Sequence, residues 1–158
     1  MQHVLIIEDQ PLIANTLADI VRFVGATSVD VADTAQHAVE FAGRRVPDII
    51  ISDVDLGPGG HGPSAVATIQ DRYGPVPAIF VTGHADDAKA RACASAILTK
   101  PVSAQRLANV IATIALKSRA APDQPLASAA VAQSRRRANS GQRDLGGNRA
   151  FQQHTAAG

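Results

Sequence analysis

Cysteines, aromatic residues and long apolar runs are all scarce in this chain of 158 residues. The single cysteine, Cys93, excludes an internal disulfide, argues against a thiolate zinc site and favours a reducing compartment. Aromatic residues make up only 3% of the chain, so alanine and the aliphatic residues must build the core. No apolar run approaches the roughly 20 residues of a membrane-spanning helix, and the N-terminus lacks the basic region of a signal peptide. The sequence therefore predicts a soluble, cytoplasmic protein without a membrane partner.

Charge is distributed unevenly along the chain, although the net charge is only +1. Residues 1–118 hold nine lysines and arginines against twelve acids, whereas residues 119–158 hold six arginines against two aspartates. The second part also has few large apolar side chains, so burial cannot offset the conformational entropy that folding would remove. We therefore predict a folded domain over residues 1–118 and a basic, disordered tail over residues 119–158.

Five short apolar runs alternate with five helical patterns along residues 1–118. The runs predict strands at 4–7, 27–32, 47–52, 76–82 and 96–99, the second with the alternation of an edge strand. Helices are predicted to begin at Pro11, at a cap from Asp33 or Thr34, at a cap from Ser64, after Asp86-Asp87, and at a cap from Ser103. The fourth, at residues 88–95, has no large aliphatic face, so we expect it to be weak and mobile. This order predicts an α/β fold with a five-stranded, doubly wound parallel sheet.

Polar side chains lie at the carboxyl ends of four of the predicted strands. Glu8 and Asp9 follow the first strand, Asp53 follows the third, Thr82 ends the fourth and Lys100 follows the fifth. Parallel strands bring these residues to one edge of the sheet, where three carboxylates would repel one another unless a cation intervened. Hard oxygen ligands suit Mg²⁺, with Mn²⁺ as a substitute. A carboxylate can act as a phosphoryl-accepting nucleophile, and nearby cations and donors would stabilise the transferring group.

Over residues 3–117 this combination resembles the receiver domain of two-component response regulators, a CheY-like, flavodoxin-like fold. The resemblance implies that Asp53 accepts a phosphoryl group from a histidine kinase. It also implies that Glu8, Asp9, Asp53 and the backbone carbonyl of Asp55 bind Mg²⁺. The chain would then be a single-domain response regulator that catalyses only its own phosphorylation and dephosphorylation. It would signal through protein–protein interaction with an output partner that the sequence does not name.

The resemblance also assigns roles at the last two strands. Thr82 would sense the phosphoryl group, Lys100 would pair with it, and the Lys100-Pro101 bond would be cis. Ile97, however, stands where the family usually has a tyrosine or phenylalanine, and the segment between Thr82 and Lys100 is short. These departures resemble the alphaproteobacterial "FAT GUY" receivers, which are associated with HWE-type and related kinases. Our hypothesis is that phosphorylation orders residues 83–95, with the surface of the fourth helix, fifth strand and fifth helix as the output face.

Two other functions compete with this interpretation. The sequence Asp53-Val54-Asp55 superficially resembles the Asp-x-Asp motif of haloacid-dehalogenase phosphatases, but no cap for a substrate follows. A regulator that binds DNA through the basic tail is the other alternative, although residues 135–137 lie in a segment too poor in apolar residues for a helix-turn-helix core. No aromatics are interleaved with those arginines, so nucleic acid is not the expected partner.

Several residues keep more than one interpretation at this point. The Asp55 side chain could face the site or only water, and His84 could be an exposed loop residue or tune the phosphoryl lifetime. His61, in the glycine loop, is interpreted as structural or incidental. The sequence leaves the oligomeric state open, a homodimer included.

Overall fold

The structure is a computed structural model, and it describes residues 3–83 and 86–120, the last two without their side chains. Strands and helices alternate along these residues. In chain order they are β1 (His3–Ile7), α1 (Pro11–Phe23), β2 (Ser28–Ala32), α2 (Ala35–Arg44), β3 (Ile49–Ser52), α3 (Gly62–Tyr73), β4 (Ala78–Thr82), α4 (Ala88–Cys93), β5 (Ala96–Thr99) and α5 (Ala104–Ala120). A short 3₁₀ turn at Gly57–Gly59 precedes α3.

The five strands form one parallel sheet in the order β2-β1-β3-β4-β5. The chain winds outward from β1 in both directions, first to β2 and then through β3 to β5. This confirms the predicted doubly wound α/β fold. In such sheets the crevice used for ligands lies beyond the carboxyl ends of the strands where the winding reverses, which here is between β1 and β3.

The three central strands are buried on both faces. Every residue of β1, β3 and β4 is buried, so continuous aliphatic runs, instead of alternating ones, mark these strands in the sequence. Two separate apolar clusters cover the two faces, one built around Phe80 and Leu56 and the other around Ile79 and Leu107. The two-sided burial fixes the strands firmly, and with them the positions of the residues that follow each strand.

The outer strand β2 differs from the central ones, as predicted. Only its last residue, Ala32, is fully buried, and Val31 is exposed. A strand with one neighbour needs fewer apolar residues, which explains why its sequence alternates.

Helix starts follow the sequence signals at most positions. Pro11 occupies the first turn of α1, the Thr34 hydroxyl accepts from the backbone N–H of His37, and Ser103 accepts from that of Arg106. The predicted Ser64 cap is wrong, because α3 begins at Gly62 with His61 before it. The Ser64 hydroxyl instead forms hydrogen bonds with the side chains of His61 and Lys89.

The fourth helix is short and has little buried surface. It spans six residues, Ala88–Cys93, of which only Ala90 is buried, and the Asp87 carboxylate accepts from the Ala90 N–H at 2.7 Å. The predicted weakness of this helix thus has a structural basis, while its mobility stays a prediction. Of the predicted tail, residues 121–158 lie outside the described residues, as does His84. Among the described helices, none is both long enough and apolar enough to cross a bilayer.

Candidate functional site

Strand register brings the predicted polar residues together at one edge of the sheet. β1 pairs with β3 so that Ile7 lies opposite Ser52, and the next residues, Glu8 and Asp53, therefore emerge side by side. β4 pairs with β5 so that Thr82 lies opposite Thr99. The backbone N–H of Lys100 then donates to the Thr82 carbonyl at 2.9 Å. We call Glu8, Asp9, Asp53, Thr82 and Lys100 the rim residues.

Lys100 is the cation of this group. Its ammonium donates to Asp53 Oδ2 at 2.6 Å and to Glu8 Oε2 at 3.0 Å. Burial by itself lowers the Lys100 pKa, but the hydrogen bonds to Asp53 and Glu8 outweigh it and raise that pKa above its usual range. The side chain keeps 22% exposure, so Lys100 stays charged and accessible at the mouth of the site.

Glu8 is the most deeply buried rim carboxylate, with 1% exposure. Burial raises its pKa, and the hydrogen bond and charge of Lys100 only partly counter that effect. A carboxylate so far from water needs a cation beside it. The sequence gives the positions of Glu8 and Asp9 in the chain, but it does not show which of the two side chains turns inward.

Asp53 is 8% exposed and its carboxylate is held at both oxygens. Oδ2 accepts from Lys100, and Oδ1 accepts from the backbone N–H of Val54 at 2.6 Å. Its carbonyl oxygen accepts from the Ser52 hydroxyl at 2.6 Å. Gly62 packs directly on this carbonyl, and a methyl group at position 62 would overlap both Ser52 Oγ and the Asp53 oxygen. The backbone around Asp53 is therefore tightly fixed.

Three carboxylates converge as a metal site would require. Glu8, Asp9 and Asp53 each offer an oxygen, and these oxygens lie within 4.8 Å of one another. Asp9 Oδ1 is buried, and among the described residues it has no hydrogen-bond partner. An unpartnered buried carboxylate oxygen is costly unless a cation or water completes it. The donor set is all oxygen, which suits Mg²⁺ or Mn²⁺.

The remaining predicted residues lie around this centre. Thr82 ends β4 and is 1% exposed. Asp55 has an exposed side chain that accepts from the Gly57 N–H at 2.9 Å, and this carboxylate is not part of the three-carboxylate cluster. The Lys100-Pro101 bond is cis, as the resemblance implied. Ile97 is half-buried against the apolar cluster that contains Phe80, so an aliphatic contact replaces the aromatic ring that is usual there.

One group of residues near the site was not predicted from the sequence. His61 Nε2 lies 3.1 Å from Asp87 Oδ2, and His61 Nδ1 lies 3.0 Å from Ser64 Oγ. Lys89 Nζ donates to the same hydroxyl at 3.1 Å. His61 and Asp87 are 26 positions apart, and no local pattern connects a loop histidine with a helix-capping aspartate. Only the folded arrangement of α3 beside α4 reveals the contact.

Comparison with known proteins agrees with this geometry. The model of the response regulator receiver domain matches residues 4–112, which is more than half of the chain. The chain belongs to the response regulator receiver domain family. The phyllosphere-induced regulator PhyR of Methylorubrum extorquens is 37% identical to this receiver over 83 residues, which are 52% of the chain and 31% of that protein.

Two solved structures of PhyR proteins are also similar. The receiver domain of PhyR from Erythrobacter litoralis has 28% identity and a TM-score of 0.64, covering 80% of this chain and 95% of that one. The anti-anti-sigma factor PhyR from Bartonella quintana, a double mutant, has 27% identity and a TM-score of 0.65, covering 75% of this chain and 50% of that one. The sequence was predicted to resemble the alphaproteobacterial FAT GUY receivers, and these relatives support a PhyR-like receiver of that kind. The match spans about a third of the curated relative's length.

Proposed function

We propose that this receiver accepts a phosphoryl group on Asp53 in a Mg²⁺-dependent reaction and passes the signal on through a protein partner. The observation that carries the proposal is the joint placement of Lys100 against Asp53 and Glu8, with Asp9 Oδ1 unpartnered beside them. This arrangement offers a nucleophile, a fixed cation and an unpartnered carboxylate oxygen for a second cation. A carboxylate pair kept only for stability would not need the third acid.

The residues of this chain would divide the chemistry among them. A carboxylate oxygen of Asp53 attacks phosphorus, and the new O–P bond forms as the bond from phosphorus to the kinase histidine nitrogen breaks. Lys100 moves its hydrogen bond from the carboxylate to a phosphoryl oxygen, and the Thr82 hydroxyl donates to another. The Val54 N–H holds the acceptor carboxylate in place throughout. Bound at Glu8, Asp9, Asp53 and the Asp55 carbonyl, Mg²⁺ would offset the charge on the transferring group.

The phosphodonor must approach Lys100 and Asp53 from the open side of the rim. An apolar cavity of about 530 Å³ borders Lys100 there, between α1 and the Pro101 loop. Leu12, on the first turn of α1, is 81% exposed beside it. A histidine kinase, of the HWE type or a related one, would cover this apolar surface while it delivers its phosphohistidine.

The output of the receiver would be a phosphorylation-dependent contact with another protein. The relative from Bartonella quintana is an anti-anti-sigma factor, of which this receiver matches half. From this relative we infer only the kind of output, which is a contact with a protein partner. We assign that contact to the surface formed by α4, β5 and α5. DNA binding and phosphatase activity are the competing functions. No described residue favours either of them.

The proposal is tested by intact mass after incubation with a small acyl phosphate, with Mg²⁺ or with chelator. Wild-type protein should gain one phosphoryl group with Mg²⁺ and none with chelator, and Asp53→Asn should gain none. Asp71→Asn is the matched control, because its side chain is exposed on α3 and lies outside the carboxylate cluster. It should be modified like the wild type.

Two results would contradict the proposal. Modification of Asp53→Asn to the wild-type level would place the acceptor elsewhere. Repeated release of phosphate from ordinary esters, at many turnovers per chain, would indicate the phosphatase instead. Loss of salt-dependent DNA binding on truncation after Ser118 would support the DNA-binding alternative.

A further inference from the structure

A cluster of four polar side chains joins the loop after Asp53 to the start of α4. We call His61, Ser64, Asp87 and Lys89 the polar tether. A carboxylate only accepts hydrogen bonds, so His61 Nε2 carries the proton that meets Asp87 Oδ2 at 3.1 Å. In the neutral ring Nδ1 then accepts from the Ser64 hydroxyl, which itself accepts from Lys89. Each hydrogen bond of the tether thus has a defined donor and acceptor, and one rearrangement would disturb all four residues.

The backbone of His61 is fixed to the segment that follows the acceptor residue. His61 and Asp55 form an isolated antiparallel bridge. On either side of it, the Gly62 N–H donates to the Val54 carbonyl at 3.0 Å and the Leu56 N–H to the Gly60 carbonyl at 3.1 Å. A displacement of residues 54–56 therefore moves His61 as well.

At the other end of the tether, Asp87 supports α4, a helix with little stability of its own. Asp87 uses one carboxylate oxygen to cap α4, at the Ala90 N–H, and the other to meet His61. A helix of six residues with one buried side chain has too little intrinsic stability to hold its own position. Its order therefore depends on contacts such as this one.

We propose that His61 is a positioning residue that couples occupancy of the Asp53 site to the order of α4 through its hydrogen bond with Asp87. This inference rests on the proposed function, because it needs Asp53 to be phosphorylated. When the Asp53 loop settles around the phosphoryl group, His61 holds Asp87 in the capping position and α4 becomes more protected. Because such coupling is reciprocal, loosening the tether also weakens the response of α4 to the site.

Amide hydrogen exchange of the full chain tests this coupling, in the unphosphorylated and phosphorylated states, with occupancy measured by intact mass. The readout is the ratio of exchange rates between the two states in residues 88–93. Glutamine places its amide nitrogen near the position of Nε2, so His61→Gln should keep the Asp87 contact and most of the ratio. Asparagine reaches only to the position of Nδ1, so His61→Asn should reduce the ratio by up to about fivefold, the full effect of one hydrogen bond.

The chain provides a matched control at His37, an exposed histidine on α2 that pairs with Asp33 at 2.6 Å. His37→Asn should leave the ratio unchanged. A purely structural role for His61 would raise exchange in both states by one factor and leave the ratio intact in His61→Asn, which would overturn the coupling alone. Absence of any mass gain in the wild type would overturn the proposed function, and the coupling with it.

Discussion

The rim residues and α4 are neighbours in the fold but are held by different interactions. The rim residues lie at the ends of β1, β3, β4 and β5, and the buried carboxylates of Glu8 and Asp53 are joined by Lys100. α4 contributes one buried residue and depends on side-chain hydrogen bonds at its first turn. The rim thus inherits its geometry from strand register, whereas α4 has no comparable support.

This difference suits a receiver that must both react and respond. Phosphoryl transfer needs acids and a cation fixed to within fractions of an ångström, which buried strands can provide. A response needs an element whose order changes by a small free energy, and a short helix with little buried surface is such an element. Variants of the rim and of α4 should therefore differ in their effects on stability, and loss of rim contacts should cost the most.

Among the variants considered, loss of the Lys100 ammonium should lower the free energy of unfolding most. Lys100→Ala leaves Glu8 buried beside Asp53 without its ion pair, and breaking a buried pair costs about 3 kcal/mol or more. We expect a loss of that size in urea unfolding at pH 8 with chelator, recovered in part by Mg²⁺. Lys117→Ala, at an exposed lysine of α5, should cost less than about 0.5 kcal/mol. Equal losses in the two variants would refute the structural role of the rim ion pairs.

The backbone beside Asp53 and the turn between β4 and α4 should also differ in their tolerance of an added methyl group. Gly62→Ala would force the Asp53 carbonyl and Ser52 hydroxyl to move, for a loss of about 2 kcal/mol or more in unfolding. A Cβ at Gly83, which directly follows β4, would meet nothing within 4 Å. Gly83→Ala should therefore change stability by less than about 0.5 kcal/mol. A Gly62→Ala protein as stable as Gly83→Ala would show that the Asp53 loop is not tightly packed.

Glu8 should give the metal-free protein a distinctive pH dependence. Because its pKa is raised in the folded state, the folded protein binds this proton more tightly than the unfolded chain does. The stabilising contribution is complete below the ordinary value of 4.5 and is lost as pH rises through the folded pKa. Each unit by which the pKa is raised corresponds to about 1.4 kcal/mol.

Denaturant unfolding from pH 4 to 8 in chelator, for the wild type and Glu8→Gln, measures this contribution. The stability of the wild type relative to Glu8→Gln should fall as pH rises. The Lys100 pKa is also raised, but its contribution is lost only above 10.5 and leaves this window undisturbed. If the difference in stability between the wild type and Glu8→Gln stayed constant or grew with pH, burial would not disfavour the ionised form of Glu8.

The sequence predicted the parts of this molecule that depend on local pattern. Continuous aliphatic runs identified the buried strands, and the residues after those runs identified the rim, because parallel strands must end at one edge. Ser103, and either Asp33 or Thr34, were predicted as caps from their position before apolar repeats, and Ser103 and Thr34 make these bonds. These inferences succeed because each rests on neighbours in the chain.

The features that could not be predicted depend on side-chain reach across the fold. Ser64 resembled a cap, but α3 starts earlier, at Gly62, which packs on the Asp53 carbonyl, and Ser64 bonds His61 and Lys89 instead. The depth of Glu8 and the unpartnered oxygen of Asp9 likewise follow from packing. Residue type alone does not determine which carboxylate faces inward.

The two capped helices offer the mildest test of the contrast. Thr34→Ala removes the cap of α2, whose Ala38 and Ala42 lie in the core, so the loss of about 1 kcal/mol should appear in global unfolding. Asp87→Ala removes the equivalent cap of α4 together with its bond to His61, yet it should lower global stability by less than about 0.5 kcal/mol. Its effect should appear as faster amide exchange confined to residues 88–93, because α4 can open while the sheet stays folded. If Asp87→Ala lowered global stability as much as Thr34→Ala does, α4 would belong to the same cooperative unit as the rim, and it could not serve as a separately responsive element.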